Sequence, residues 1–193
     1  MAVFASGAYV HNVKDITDIL TANDVSKATA SGEYGGSEAI WMAFSHNGGA
    51  DKWSNTGGNS TGWLQWDCGV GNAKSIDSYT VTGRGDGYPD AVMHDWILSG
   101  SDDGETWTQL DAQSVNWSSY ASGTMLTFML ATPSAPFRFF RIAGHSNQYA
   151  CAIGELELLE CIVPMADPRC YLPPSRRDRL NRNGVSTKNY LAN

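Results

Sequence analysis

Short alternating runs of apolar and polar residues, separated by turn-forming glycine and aspartate, recur along most of the chain. Residues 75–81 and 95–99 read as strands. Asp102-Asp103-Gly104 is a turn signal, and residues 107–112 continue as the partner strand of a hairpin. Residues 124–131 place Leu126, Phe128 and Leu130 on one face and Met125, Thr127 and Met129 on the other. In residues 137–143, Phe140 and Ile142 stand opposite Phe137, Phe139 and Arg141. Residues 153–159 close the series, with Leu156 and Leu158 opposite Glu155 and Glu157. Helical periodicity is confined to residues 13–20, a stretch too short to carry architecture. Strands of this length and spacing, without intervening helices, predict an all-β antiparallel sandwich.

Composition sharpens that picture. The 193 residues are 42% hydrophobic, 11% aromatic and only 17% charged, which is the make-up of a chain that buries a core. The longest uninterrupted apolar run, residues 39–44, is far short of a membrane span, and the N-terminal residues show no basic leader or secretion signal. The net charge of −7 is uneven. Residues 1–161 hold 18 acidic and 7 basic side chains, for −11, whereas residues 162–193 hold 2 acidic and 6 basic ones, for +4. Four of the seven prolines also fall in this last stretch, so it reads as a basic, extended tail without a core of its own. The acidic body excludes general nucleic-acid binding and disfavours anionic membranes. Cys68, Cys151, Cys161 and Cys170 lack zinc-ligand spacing and read as buried free thiols, with Cys161 and Cys170 the first pair to check in an oxidising medium.

Six segments, in order, carry a family resemblance. They are Ala43-Phe44 through Trp53, then Gly62-Trp63-Leu64-Gln65-Trp66-Asp67-Cys68-Gly69, then Thr82-Gly83-Arg84-Gly85-Asp86. Next comes the strand from Asp95-Trp96 into Gly100-Ser101-Asp102-Asp103-Gly104 and the closing Trp107. Phe137-Arg138-Phe139-Phe140-Arg141-Ile142 and Ile153-Gly154-Glu155-Leu156-Glu157-Leu158 complete the set. Together they resemble the discoidin, or coagulation factor 5/8 type C, family, which overlaps the family-32 carbohydrate-binding modules. The resemblance implies a galactose-binding-like jelly-roll sandwich over residues 28–160, preceded by a lead segment (1–27) and followed by the tail (161–193). It places Trp53, Trp63, Trp66, Trp96 and Trp107 in fold-defining positions.

The resemblance also implies two sites. A structural calcium would lie between the loop 43–51 and the last strand, with Ser45, Asn47, Asp51 and Glu155 as candidate ligands. Ser45 replaces the family's aspartate, which leaves open a loop held by hydrogen bonds without metal. Ligands would bind on loops 33–41, 84–94 and 144–149, where Tyr34, Arg84, Asp86, Tyr88, His94, Asn147 and Tyr149 offer ring faces and planar polar groups suited to sugars. Arg84 beside Asp86 is the first choice, as a fixed guanidinium clamping vicinal hydroxyls; the alternative is an internal loop ion pair. Trp41 reads as core.

Three motif matches carry no weight. Gly58-Asn59-Ser60-Thr61-Gly62 fits a nucleophile elbow but lacks the strand and helix that the motif needs, Arg84-Gly85-Asp86 sits in a family turn, and Asn59 and Asn116 are glycosylation acceptors only in a secretory pathway. No paired acid and base emerges, so the expectation is a protein that is not an enzyme. The function expected is a non-catalytic module binding a glycan or cell-surface polysaccharide. An extracellular-type fold without an export leader is reconciled by a multicopy phage virion or tail component mediating host attachment. Residues 162–193 would then contact other virion proteins or further copies of the chain. The alternatives are a purely structural virion decoration protein, an ordinary extracellular protein and, last, a membrane-binding discoidin domain.

Overall fold

The computed structural model describes residues 4–5 and 13–161; the segment 162–193, with Cys170, lies outside the described residues. Twelve strands are described: β1 (Phe4–Ala5), β2 (Val13–Asp15), β3 (Ala28–Ala30), β4 (Trp53–Ser54), β5 (Thr61–Asp67), β6 (Ser78–Thr82), β7 (Asp95–Ser101), β8 (Thr108–Ser114), β9 (Met125–Met129), β10 (Phe139–His145), β11 (Ala152–Ile153) and β12 (Glu155–Cys161). One five-stranded sheet runs β1-β9-β6-β12-β2 and the other β3-β5-β10-β7-β8, with every pairing antiparallel; β4 and β11 form a separate small ladder. The all-β sandwich expected from the sequence is therefore the fold. Helical backbone among the described residues is confined to the 3₁₀ turns Ile40–Phe44, Pro89–Ala91 and Trp117–Ser119. No described helix is long and apolar enough to cross a membrane.

The pleat explains the layering. Alternate residues of β6, β9 and β12 turn Tyr79, Val81, Leu126, Phe128, Leu156 and Leu158 inward, and all six are essentially fully buried. The facing sheet contributes Leu64, Trp66, Trp96, Leu98, Phe140 and Ile142 to the same core. The two inner faces are also joined by a polar link. Trp96 Nε1 donates to the Tyr79 hydroxyl at 2.9 Å, and that hydroxyl donates to Asp111 Oδ2 at 2.9 Å. Asp111 is buried and accepts a second bond from Gln113 at 2.7 Å, so the chain of donors ends on a satisfied carboxylate.

The hairpin expected around Asp102-Asp103-Gly104 joins β7 to β8. Asp103 Oδ1 accepts from the backbone N–H groups of Glu105 and Thr106 at 2.8 and 2.7 Å, which holds its carboxyl below the usual carboxylate range. The weak helix expected over 13–20 does not form: Val13, Lys14 and Asp15 are the edge strand β2, paired with β12, and residues 16–20 follow as irregular backbone. The reason is local. Asp15 Oδ1 accepts the Thr17 N–H at 2.9 Å, an Asx turn that closes the strand and denies the backbone its helical bonds. The lead segment thus supplies strands to the sandwich.

The free-thiol expectation holds for Cys68 and Cys151, whose burial pushes both thiols up to about 12, but Cys161 is disulfide-bonded. Its position explains the difference: at the end of an edge-paired strand it is half-exposed and outside the core.

Replacing Tyr79 by Phe removes the hydroxyl that joins the two sheets and leaves Trp96 Nε1 buried without an acceptor. The expected cost is about 1–3 kcal/mol, read by equilibrium urea unfolding with an unchanged m-value.

Candidate functional site

The end of the sandwich where β6 finishes and β5, β7 and β12 begin carries the loops singled out in the sequence. Gly85 sets the packing there. Its N–H donates to the Gly49 carbonyl at 2.9 Å, and a side-chain carbon at Gly85 would lie only 2.8 Å from that oxygen. Glycine is required for this close approach. The turn is pinned from its other side by Ser122, whose hydroxyl donates to the Arg84 carbonyl and accepts the Gly87 N–H.

Arg84 is only 8% exposed. Nε and Nη2 form a fork on Asp86 at 2.9 and 2.8 Å, Nη2 also reaches Glu38 at 3.3 Å, and Nη1 donates to Ser54 at 3.2 Å. Lys52 completes the network, 3.2 Å from Asp86 and 3.6 Å from Glu38. Two cations and two carboxylates therefore balance. The ion-pair alternative describes Arg84 better than the sugar clamp, since four of its five donors are committed inside the protein. Asp86 remains about a third exposed, and the bonds from Arg84 and Lys52 hold its carboxyl down at about 2. It is a fixed, ionised acceptor at the surface. Glu38, Lys52 and Ser54 were not singled out from the sequence, because only the folded loops bring them to Arg84.

Three tyrosines surround this network. Tyr34, Tyr88 and Tyr149 are 59%, 55% and 69% exposed. The Arg84 guanidinium lies 5.5 Å from the Tyr88 ring centre. Tyr34 bonds through its backbone N–H to the carbonyl of Ser54, the residue beneath Arg84, and its ring covers Gly57. Gly58 donates to the Tyr149 carbonyl at 2.8 Å, which places Tyr149 across the same loop. The structure thus brings together Tyr34, Arg84, Asp86, Tyr88 and Tyr149. His94 and Asn147 form their own pair at 3.2 Å, tied in through the Asn147 N–H on the Asp90 carbonyl; His94 is buried, whereas Asn147 is exposed. Trp41 packs partly buried against the core, as expected.

The residues proposed as calcium ligands form a different device. Ser45 is right-handed helical (φ −84°, ψ −12°) and His46 is left-handed (φ 54°), the alternation that turns successive N–H groups toward one point. That point is Glu155, which accepts from His46 and Asn47 at 3.0 Å each. Asn47 Nδ2 donates to Asp51 Oδ2 at 2.9 Å, Ser45 Oγ donates to the Met42 carbonyl at 3.0 Å, and the carbonyls of Asn47 and Gly49 accept N–H groups of Ala50 and Gly85. Calcium needs six to eight converging oxygens, whereas this loop presents positive N–H dipoles and uses its oxygens elsewhere. The residues do not fit the ion. Burial pushes Glu155 up to about 7, and it also raises Glu157 and Asp15 on the same outward face.

Two outcomes follow from this loop. A millimolar calcium chelator, or added calcium, should leave the melting temperature unchanged, since only a ligand of the native state raises it. A raised folded-state carboxyl contributes stability below its unfolded pKa and loses it as pH rises through the folded value. The melting temperature should therefore fall between about pH 4.5 and 7, and Glu155→Gln should flatten that fall, as read by thermal melts across the range.

Among solved structures, chitosan-binding module 1 of a chitosanase/glucanase from Paenibacillus sp. IK-5 is similar at TM-score 0.57 and 16% identity, covering 75% of this chain and 98% of that one. The family 32 carbohydrate-binding module of Clostridium perfringens NanJ, solved in complex with galactose, is similar at TM-score 0.56 and 18% identity, covering 69% and 92%. An F5/8 type C domain from Bacteroides fragilis is similar at TM-score 0.59 and 14% identity, covering 70% and 91%. No curated protein sequence matches the chain. The family model described as F5/8 type C domain matches residues 26–156, which takes in five of the six motifs, the start of the sixth and the loops around Arg84, and the chain belongs to that family.

Proposed function

We propose that the protein is a non-catalytic glycan-binding module that holds a sugar on the rim formed by Tyr34, Tyr88 and Tyr149, with Asp86 accepting from its hydroxyls. The observation that carries this reading is the set of three tyrosines, each more than half exposed, around a charge network that needs no ligand to be balanced. Exposed rings on rigid loops offer apolar faces for the C–H patches of a pyranose, and an ionised carboxylate supplies direction. Modules of this fold have been solved with galactose and with GalNAc-β-1,3-galactose, which supports a sugar as the ligand class. The same chemistry supports a binding role for Asp86 over an acid–base one. With its carboxyl at about 2, Asp86 carries no proton to donate at neutral pH, and Arg84 and Lys52 neutralise it as a base.

A shallow rim binds one sugar weakly, so useful attachment comes from many copies. Display on a virion surface, with the +4 stretch 162–193 contacting acidic neighbours, is the form of multivalency we infer from the charge division between the body and that stretch.

Glycan-array screening of the full chain, clustered on beads, tests the reading. Tyr149→Ala and Tyr88→Ala should each lower binding about tenfold while leaving the melting temperature intact, as expected for loss of one ring contact. A blank array at every valency would leave the structural-decoration alternative.

A further inference from the structure

Three side chains from three segments converge on the outward face of the first sheet and share no residue with the tyrosine rim or its charge network. They are Asp15 at the end of the edge strand β2, His46 in the loop after the first 3₁₀ turn, and Glu157 in β12. One ligating atom of each lies within 4.8 Å of the other two. The register makes the carboxylates neighbours: Asp15 pairs with Leu159, so on the pleat it shares a face with Glu157, two residues back along β12. The His46 N–H donates to Glu155 on that same face, and the imidazole Nε2 lies 3.1 Å from Asp15 Oδ2. This separation is close to the edge of a tetrahedron, about 3.3 Å, around an ion with bonds of about 2.0–2.1 Å.

The charge here is unmatched, unlike that elsewhere on the body. Asp67 is paired with Arg138, Asp86 with Arg84 and Lys52, and Asp18 with Lys27. Among the described residues, Asp15 has only the imidazole of His46 in an ion pair, and Glu157 has no ion pair. Burial raises both carboxyls, and the charge of Asp15 raises Glu157 further. Both carboxylates are nevertheless braced from outside the trio. Thr17 donates its N–H and its hydroxyl to Asp15 Oδ1 at 2.9 and 2.7 Å, and the Thr80 hydroxyl donates to Glu157 Oε2 at 3.0 Å. Bonds of this kind orient a ligating carboxylate without cancelling its charge. Two half-buried anions are thus held together, with an imidazole nitrogen beside them and no fixed cation.

We propose that Asp15, His46 and Glu157 form a zinc site, with water completing the coordination. None of the three belongs to the set Ser45, Asn47, Asp51 and Glu155 considered for calcium. One imidazole nitrogen with two carboxylates suits zinc, whereas calcium takes oxygens alone and more of them. Zinc with two carboxylates and a neutral imidazole is a neutral unit, so binding removes the repulsion between Asp15 and Glu157. On binding, Nε2 releases its proton to the buffer and Nδ1 keeps its own, which frees the Nε2 lone pair for the metal. His46 is exposed, which gives the ion a route in and leaves room for the water ligand. The bound ion ties β2 and the loop of His46 to β12.

The test is calorimetric titration of the full chain with zinc chloride, beside magnesium and calcium chloride. The chain is first dialysed free of metal, and the calcium measurement above starts from the same protein. Saturable binding of one zinc ion is expected, with none of magnesium or calcium, and the melting temperature should rise with zinc. His46→Asn keeps a residue that tolerates the left-handed backbone and keeps the N–H on Glu155, so the nest survives while the imidazole is lost. It should weaken zinc at least tenfold, and so should Glu157→Gln. Asp51→Asn, in the loop considered for calcium, and His145→Ala, which removes the other histidine–aspartate pair, should leave the affinity unchanged. The absence of saturable zinc binding by the unmodified chain overturns the proposal, whatever the stability of the variants. Undiminished binding in either His46→Asn or Glu157→Gln overturns it too, as does loss of binding in Asp51→Asn or His145→Ala.

Discussion

Burying a guanidinium costs several kcal/mol unless carboxylates and hydroxyls surround it, and at the rim of this sandwich Arg84 is 8% exposed. The network draws on three separate stretches of chain: Glu38 before the first 3₁₀ turn, Ser54 of β4 with Lys52 just before it, and Asp86 in the loop of Arg84 itself. Each contact fixes one loop against another, and together they form a rigid base beneath Tyr34, Tyr88 and Tyr149. A binding surface made of loops normally loses affinity to the ordering of those loops. Here the ordering is already done by a charge that has to be matched in any case.

The two sheets use their outward faces differently. On the first, the carboxylates of Asp15 and Glu157 gather half-buried around His46, and the buried Glu155 next along β12 is turned into a nest of backbone N–H groups. His46 Nε2 lies 3.1 Å from Asp15, the imidazole brought there by the same left-handed residue that makes the nest. On the second, the outward residues include an arginine between tryptophans. One face therefore gathers carboxylates around a backbone nest, and the other holds Arg141 between indoles beside the Arg138–Asp67 and His145–Asp95 pairs. The core between them shares the polar link of Trp96, Tyr79 and Asp111, which sets the two inner faces in a single alignment.

How much of this was legible varies with the range of the interaction. The β7–β8 hairpin was readable because its cause is local: alternation on both arms and an Asp-Gly turn whose carboxylate bonds the next two N–H groups but one. The strand faces of β9, β10 and β12 were readable for the same reason. Residues 13–15 were not, because their weak helical period was overruled by pairing with β12, more than 140 positions away in sequence. Ser45 in place of an aspartate was a legible warning about calcium, but the nest depends on the backbone of His46, which no side-chain pattern announces. Arg84 and Asp86 were legible as a pair; Glu38 and Lys52 were not, since neither lies within a motif.

Sequence alone determined the all-β class, the family and the alternation that gives the core strands their inward apolar faces, because these follow from a two-residue pleat and from turns a few residues long. It also showed that the negative charge belongs to the body and the positive charge to residues 162–193. Only the tertiary structure decided which charges are spent internally and which remain. Arg84 has Asp86 two residues on and Arg141 has no acidic neighbour in sequence, but neither pattern names the groups that surround the guanidinium. Folding surrounds the first with two carboxylates and gives the second two indole rings and one amide. Electrostatic matching depends on distances of a few ångströms between segments remote in sequence, and those distances exist only once the sheets have packed.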